Sequence, residues 1–321
     1  MRLLSKALRR AAQGALVLWF VVTATFVLVR LAPGDPFSAV AGDENVPPAV
    51  RERLRAAYGL DAPLATQYAR FVGNALRGEL GWSITQQEPV SRVLARALPN
   101  TLVLMVPAFV IGLLGGIAVG AWQGWEPARA SSRALDRLGL LMLSVPDFVV
   151  AIALLMGPAL ALGLFPVGLM HTEFAPTGLR GIPDLLMHLA LPCFALAISL
   201  GTVIARHQAA SLREVREALF VRQARARGIP ERRILLRHAL PQALVPVIAI
   251  AGAVLPAIVG GSVMIEKVFA WPGMGRVIVD GVLARDHHLV VGGVMLTTIA
   301  VLVGSALADA AQRALDPRGR A

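Results

Sequence analysis

Apolar residues are gathered into blocks along the 321-residue chain. Six stretches meet or approach the ~20 residues that a helix needs to cross a hydrocarbon core about 30 Å thick. They cover about 11–31, 101–122, 138–165, 185–205, 243–265 and 289–308. Inside a bilayer the peptide groups find no water, so helix is the expected conformation. Pro107, Pro146, Pro158, Pro192, Pro246 and Pro256 fall within these stretches. They are expected to kink helices whose neighbours satisfy the freed carbonyls. The pattern predicts an all-α membrane protein with six transmembrane helices. A cleaved signal peptide is the other reading of the first stretch, but its apolar run exceeds the 7–15 residues of a signal core. The cleavage-like Ala39-Val40-Ala41 also lies well beyond its apolar end.

A second periodicity occupies residues 32–98. Leu64, Tyr68, Phe71, Val72, Ala75 and Leu76 recur at helical spacing and give one apolar face. A shorter helix from Val50 to Tyr58 is expected after Pro47-Pro48, and another over Val90, Val93, Leu94, Ala97 and Leu98 after Pro89. Several short helices lying on the membrane face or folded over the bundle account for this pattern. A self-contained cap accounts for it equally.

Composition narrows the function classes. The chain is 56% hydrophobic and 16% charged, with a mean hydropathy of +0.66, which excludes a disordered chain and argues against a water-soluble globule. One cysteine, Cys193, excludes an internal disulfide and a cysteine-based zinc cluster. The two lysines, Lys6 and Lys267, follow Ser5 and Glu266. Neither stands in the Gly-Lys-Ser/Thr context of a phosphate-binding loop.

The net charge of +11 follows the topology rather than a nucleic-acid surface. Residues 1–10 carry four basic groups and no acid, and 206–240 carry nine Arg against three Glu. Residues 32–98 balance at seven of each sign, and 166–184 are slightly acidic. Positive charge stays on the cytoplasmic side, so both termini and the 206–240 loop are expected there. That loop is helix-prone from Ser211 to Arg227, breaks at Gly228, and restarts as a short helix from about Pro230 to His238. Two readings fit it: a docking element for another protein, or a basic loop near anionic headgroups.

Asp286-His287-His288 invites a metal or catalytic reading, and also an N-cap reading in which Asp286 starts the last helix beside interfacial histidines. Leu289 stands where an Asp-His-His-Cys acyltransferase would have its cysteine, and His171, His188 and His207 lack metal-ligand spacing. No His-Glu-x-x-His or Gly-x-Ser-x-Gly sequence occurs.

Arg222-Gln-Ala-Arg-Ala-Arg-Gly228, with Leu240-Pro241 downstream, resembles the Glu-Ala-Ala loop of bacterial ABC importer permeases. Aligned on Gly228, Arg222 replaces the glutamate, Gln223 the first alanine and His238 the isoleucine, while Ala224 keeps the second alanine. The variant is similar to that of the dipeptide/oligopeptide/nickel branch, which Phe220 to Ile229, Arg237-His-Ala-Leu240 and Ala243-Leu-Val-Pro246 follow. Arg30 to Pro36, Tyr58 to Leu64, Arg77 to Ser83, Leu98 to Thr101, Glu266 to Arg276, Arg285-Asp286 and Leu315 to Arg318 resemble the same branch in order and spacing.

The resemblance implies a type I importer: two homologous permease subunits, two P-loop ATPase subunits and a periplasmic or lipid-anchored substrate-binding protein, in the bacterial inner membrane. It implies a non-catalytic chain without its own cofactor, ATP and Mg being bound by the partners. The implied organisation is a cytoplasmic N-terminus and first span at 1–31, an external helical insertion at 32–98, a transmembrane core at 99–310 and a cytoplasmic tail at 311–321. The implied ATPase-coupling loop is Arg222, Ala224, Gly228, Ile229, Pro230, Glu231, Arg232, Arg233, Leu235, His238 and Pro241. Contact is expected over Ile229 to His238, with Gly228 as a turn at positive φ. Polar residues within spans are the candidates for lining the pathway: Ser144, Asp147, Ser199, Thr202 and Ser262. Asp147 stands out because an ionisable group at membrane depth is costly, unless it lies near the interface or pairs internally. Short peptides are the expected cargo; nickel or its chelates, glutathione and modified peptides are the alternatives within the branch. From another class, the alternative is a membrane-embedded enzyme using Asp286, His287 and His288.

Overall fold

The chain's elements run in the order its apolar blocks dictate. A computed structural model describes residues 2–31, 62–176, 178–260 and 262–315. It comprises α1 (Arg2–Leu31), α2 (Leu64–Ala75), the strands β1 (Trp82–Ser83) and β2 (Glu88–Pro89), then α3 (Val90–Trp125) and α4 (Ala130–Ser144). α5 (Asp147–Leu154) runs on as a π-helix over Leu155–Ala161, and a short 3-10 turn leads into α6 (Ile182–Arg216). Then follow α7 (Leu219–Ala226), α8 (Glu231–Ile234) with a π-turn over Leu235–Ala239, and α9 (Leu240–Gly260). The last elements are α10 (Val263–Val268), α11 (Met274–Leu283) and α12 (His287–Leu315). The expected helix over Val50–Tyr58, the Ala39-Val40-Ala41 site and the tail beyond residue 315 lie outside the described residues. So does most of the motif after Arg30.

Two compact units divide the chain, one of residues 1–101 with 272–302, the other of 102–271 with 303–321. In the first, α2 forms as predicted, and Tyr68 and Phe71 of its apolar face pack on α1 while Leu64 and Leu76 stay exposed. Phe26 meets Tyr68 edge-on at 5.3 Å and Phe71 at 5.9 Å, and the Tyr68 and Thr23 hydroxyls lie 2.6 Å apart. Val22, Phe26 and Val291 are buried in this cluster. β1 and β2 pair antiparallel with Trp82 opposite Pro89. Val90, Val93, Leu94 and Ala97 then pack with Met274 and Leu289. These residues do not form the separate helix expected after Pro89. They are the first turns of α3, which continues through Pro99 and Pro107 for 36 residues, about 54 Å. The boundary expected at 98/99 therefore falls inside one helix.

In the second unit, α3 and α6 approach through small residues. Cβ atoms built on Gly112, Gly116 and Gly124 would lie 2.9, 2.6 and 2.8 Å from the carbonyl oxygens of Ala197, Gly201 and Ala209, and one on Gly120 would strike that of Ala205. Residue numbers rise together on both helices, so the two run parallel. Such small-residue seams let backbones meet where no hydrophobic drive separates helix from lipid.

The third apolar block differs from expectation. Instead of one span over 138–165, α4 and α5 meet at a 103° bend. Val145 is extended (φ −101°, ψ 122°) and Pro146 caps α5 (φ −57°, ψ 143°). The residue before a proline is driven out of the helical region, so Pro146 breaks rather than kinks. Pro158 has the milder effect of widening the next turns to a π-helix. Among the described residues, five helices can cross a membrane by length and composition, or six with this bent pair. The parallel course of α3 and α6 decides for six, because the chain between them must return to its starting side.

The fifth block also stops early: α9 ends at Gly260, and Ser262 is an extended residue (φ −102°, ψ 96°) capping α10. Leu16, Phe20 and Leu28 of α1 remain more than 60% exposed, as suits side chains whose solvent is lipid.

Candidate functional site

The Gly228 loop is folded rather than solvated. α6 stops at Arg216, and Ala218 turns extended (φ −65°, ψ 148°) to start the eight-residue α7. α7 ends in a Schellman motif: Ile229 N–H donates to the Ala224 carbonyl at 3.2 Å and Gly228 N–H to that of Arg225 at 2.9 Å. Gly228 sits at φ +71°, the left-handed position such a cap assigns to glycine. Ile229 then packs on the core that includes Ala224, the hydrophobic contact that accompanies this cap.

Pro230 (φ −58°, ψ 137°) caps the next helix, its carbonyl accepting from Arg233 at 2.8 Å and Ile234 at 3.0 Å. Glu231 occupies the first turn, where the helix dipole favours an anion. Here the expectation is corrected. The second helix does not end near His238; it widens to a π-turn over Leu235–Ala239 and continues into α9. Pro241 explains the widening, since it has no N–H to donate and its ring crowds the carbonyl four residues back. The self-contained short helix is therefore α7, before Gly228, and not the segment after it.

A hydrophobic core anchors the loop. Val221, Ala224, Ile234 and Ala239 are buried with Trp125 at the end of α3 and Leu212 of α6. Arg225 is held twice. Its Nε donates to Glu231 Oε1 at 2.7 Å and Nη2 to Oε2 at 3.3 Å, and its guanidinium lies 5.4 Å from the Trp125 ring centroid. The Glu231 hydrogen bond also holds the Arg225 guanidinium above its ordinary pKa. Arg222 reaches Glu217 at 3.4 Å, both largely exposed. Arg232, Arg233 and Pro241 are exposed, Leu235 and His238 half-buried, and His238 Nδ1 lies 3.4 Å from the Arg233 carbonyl. Arg225, Val221 and Trp125 escaped the sequence reading. Only the i, i+6 Arg–Glu spacing across a glycine hinted at the ion pair.

The five pathway candidates lie on α4, α5, α6 and the start of α10. A groove of about 380 Å³ runs between α3, α4 and α6, and of the five only Thr202 lines it. Thr202, Ser199 and Ser144 donate to carbonyls one turn back, at 2.8, 3.3 and 3.1 Å, so each hydroxyl is satisfied on its own helix. Asp147 begins α5 at the Pro146 break and accepts the Phe148 N–H at 2.8 Å, a position that stabilises a carboxylate without any ligand.

Asp286 takes the capping role. It is fully buried; Oδ1 accepts the Leu289 N–H at 3.2 Å. Oδ2 accepts from Ser83 Oγ at 2.6 Å and from Thr85 N and Oγ1, both at 3.0 Å. Its lone pairs serve the start of α12 and the strand hairpin. His171 and His188, isolated in sequence, meet around Asp184: Thr172 Oγ1 donates to Asp184 Oδ1 at 2.5 Å and lies 3.1 Å from His188 Nε2. Among the described residues no group of three or more His, Cys, Asp or Glu is placed to hold a metal ion.

Residues 112–321 match the family described as binding-protein-dependent transport system inner membrane component, and residues 3–105 match the N-terminal component of the same systems. The chain belongs to this family of ABC importer permeases. The permease is 33% identical over 315 residues to the oligopeptide transport system permease protein AppB of Bacillus subtilis, covering 97% of this chain and 98% of the relative. It is 35% identical over 306 residues to OppB of Mycobacterium bovis, covering 92% and 93%. Among solved structures, a chain of the MetNI methionine ABC transporter superposes with a TM-score of 0.56 at 19% identity, covering 70% of this permease and 96% of that chain. That likeness establishes the type I importer fold.

Proposed function

We propose that this permease forms, with a second homologous permease, a translocation pathway for short peptides, energised by two separate ATPase subunits and supplied by a substrate-binding protein. The peptide assignment draws on AppB and OppB, oligopeptide permeases by name that it matches over nearly their whole length. Coupling is assigned to the Gly228 loop. Its two helices are clamped to α3 and α6 by a buried core while Leu219, Arg222, Arg232 and Leu236 stay exposed. A push on the loop would thus be passed to two spans. This supports moving the contact surface back to include α7 beside the first turn of α8.

The charge asymmetry of the loops supports a bacterial inner-membrane location with both termini and this loop in the cytoplasm. ATP and Mg would bind the partner ATPases, leaving this chain non-catalytic. Crosslinkers placed singly on residues 219–238 in the assembled transporter test the coupling assignment. Capture of the ATPase from exposed positions of both helices is expected; capture from neither would remove it. Binding of di- and oligopeptides, nickel chelates and glutathione to the cognate binding protein tests the cargo separately.

A further inference from the structure

A pocket of about 160 Å³ opens where α1, α2, residues 79–81 and the start of α12 meet within the first unit. Arg30, Arg70, His287 and His288 line it, with Glu79 the one acidic side chain among the described residues. Among the described residues, Arg30 Nε is buried without a hydrogen-bond partner, and so is His287 Nδ1. The Arg30 guanidinium lies 5.5 Å from the Phe26 ring centroid, a contact that does not engage Nε in a hydrogen bond. A buried donor without an acceptor is costly, so the Arg30 Nε–H calls for an anion, and His287 Nδ1 can donate beside it in the tautomer that carries its proton there.

The pocket has a polar and an apolar side in a fixed order. Arg30 lies in the last turn of the candidate span Leu8–Leu31, and His287 begins the span His287–Asp309. Phe26 lies one turn before Arg30 and Val291 one turn after His287, and both line the pocket. On each helix the apolar wall is thus on the membrane side of the basic one. Val27, Leu28 and Leu31, on the same turns of α1, are exposed by 45, 67 and 69% and offer an apolar track into the span. A free anion has no use for that arrangement, whereas a headgroup phosphate with acyl chains matches both parts.

We infer that Arg30 and Arg70, with the two histidines, form a binding site for the phosphate of a phospholipid headgroup at the end of the first and last spans. Guanidinium–phosphate bonds are charge-assisted and are the strongest hydrogen bonds available here. The site is independent of the cargo assignment.

Native mass spectrometry of the full-length permease, purified from membranes with whatever subunits accompany it and supplied with phosphatidylglycerol, tests this. Retention of the lipid is expected. Arg70→Gln, at an exposed position, should lower retention ~tenfold through loss of a charge-assisted bond. Asn74→Glu, also exposed, should do the same by supplying the pocket with an internal carboxylate. Arg180→Gln, at a residue that does not line the pocket, should leave retention unchanged, and unaltered melting temperatures show that the variants fold. Millimolar inorganic phosphate should neither displace the lipid nor raise the melting temperature. Retention unaffected by Arg70→Gln and Asn74→Glu, no retention by the parent chain, or displacement by inorganic phosphate alone would each overturn the site.

Discussion

Arg225 and Glu231 close the Gly228 turn from opposite sides with a two-point ion pair, 2.7 Å at its shorter contact. Trp125 backs the guanidinium, so the pair ties α7 and α8 to the end of α3. Side-chain exposures of 35% and 54% keep its worth near ~0.2–1 kcal/mol. The pair therefore matters for geometry more than for stability. Glu231→Gln should leave insertion and melting temperature almost unchanged while raising the ATP hydrolysed per substrate transported. Arg225→Lys should behave alike, because an ammonium cannot make the two parallel bonds. Unchanged stoichiometry in liposomes for both variants would show that the turn transmits force without them.

Gly228 tests the turn by conformation rather than bulk. A Cβ there meets nothing within 4 Å, so only the left-handed backbone, costing about 1–2 kcal/mol for ordinary residues, opposes substitution. Coupled ATPase activity should fall in the order Gly, Asn, Ala, Val, with Asn nearly normal because it tolerates this region. Pro should be worst: it cannot adopt φ +71°, and it removes the N–H bonded to Arg225. A series that instead tracked side-chain volume would mean the partner packs against Gly228 itself.

Much of this was legible in the sequence, and the misses share a cause. Block length located the crossing helices, and the periodicity of Leu64, Tyr68 and Phe71 found α2. Gly228 announced its turn because one residue type answers a backbone requirement. What a linear pattern cannot weigh is competition at prolines. Pro99 and Pro107 are absorbed within α3, while Pro146 breaks its block. The difference lies in whether neighbouring chain satisfies the freed carbonyls, a tertiary matter. Convergence across long separations, such as Ser83 and Thr85 on Asp286 or Trp125 under Arg225, leaves no periodic trace. The Gly112–Gly124 seam went unread, because nothing in a linear pattern names its partner helix.

That seam separates two adjacent glycines sharply. A Cβ on Gly116 would lie 2.6 Å from the Gly201 carbonyl oxygen, whereas one on Gly115 meets nothing within 4 Å. Gly116→Ala should destabilise by about 1–3 kcal/mol as an overpacked contact, lowering the melting temperature and the yield of assembled transporter. Gly115→Ala should be neutral or slightly stabilising, since alanine is the better helix former. Equal melting temperatures for the two variants in detergent would show that the helices can separate without cost.

Asp286 distinguishes scaffold from chemistry. Its carboxylate accepts four hydrogen bonds, from Ser83, Thr85 twice, and Leu289, and Ser83 is itself fully buried. Asp286→Ala would strand those donors, each buried unsatisfied group costing about 1–3 kcal/mol, and would uncap α12. A substantial fall in melting temperature is expected. Asp286→Asn keeps an acceptor oxygen for the cap and should recover part of the loss, with transport recovering in proportion to the folded fraction. An enzyme that used this carboxylate as a base or metal ligand would behave differently: the amide would restore the fold and none of the activity. Normal stability together with abolished transport in Asp286→Asn would therefore remove the capping account and reopen the chemical one.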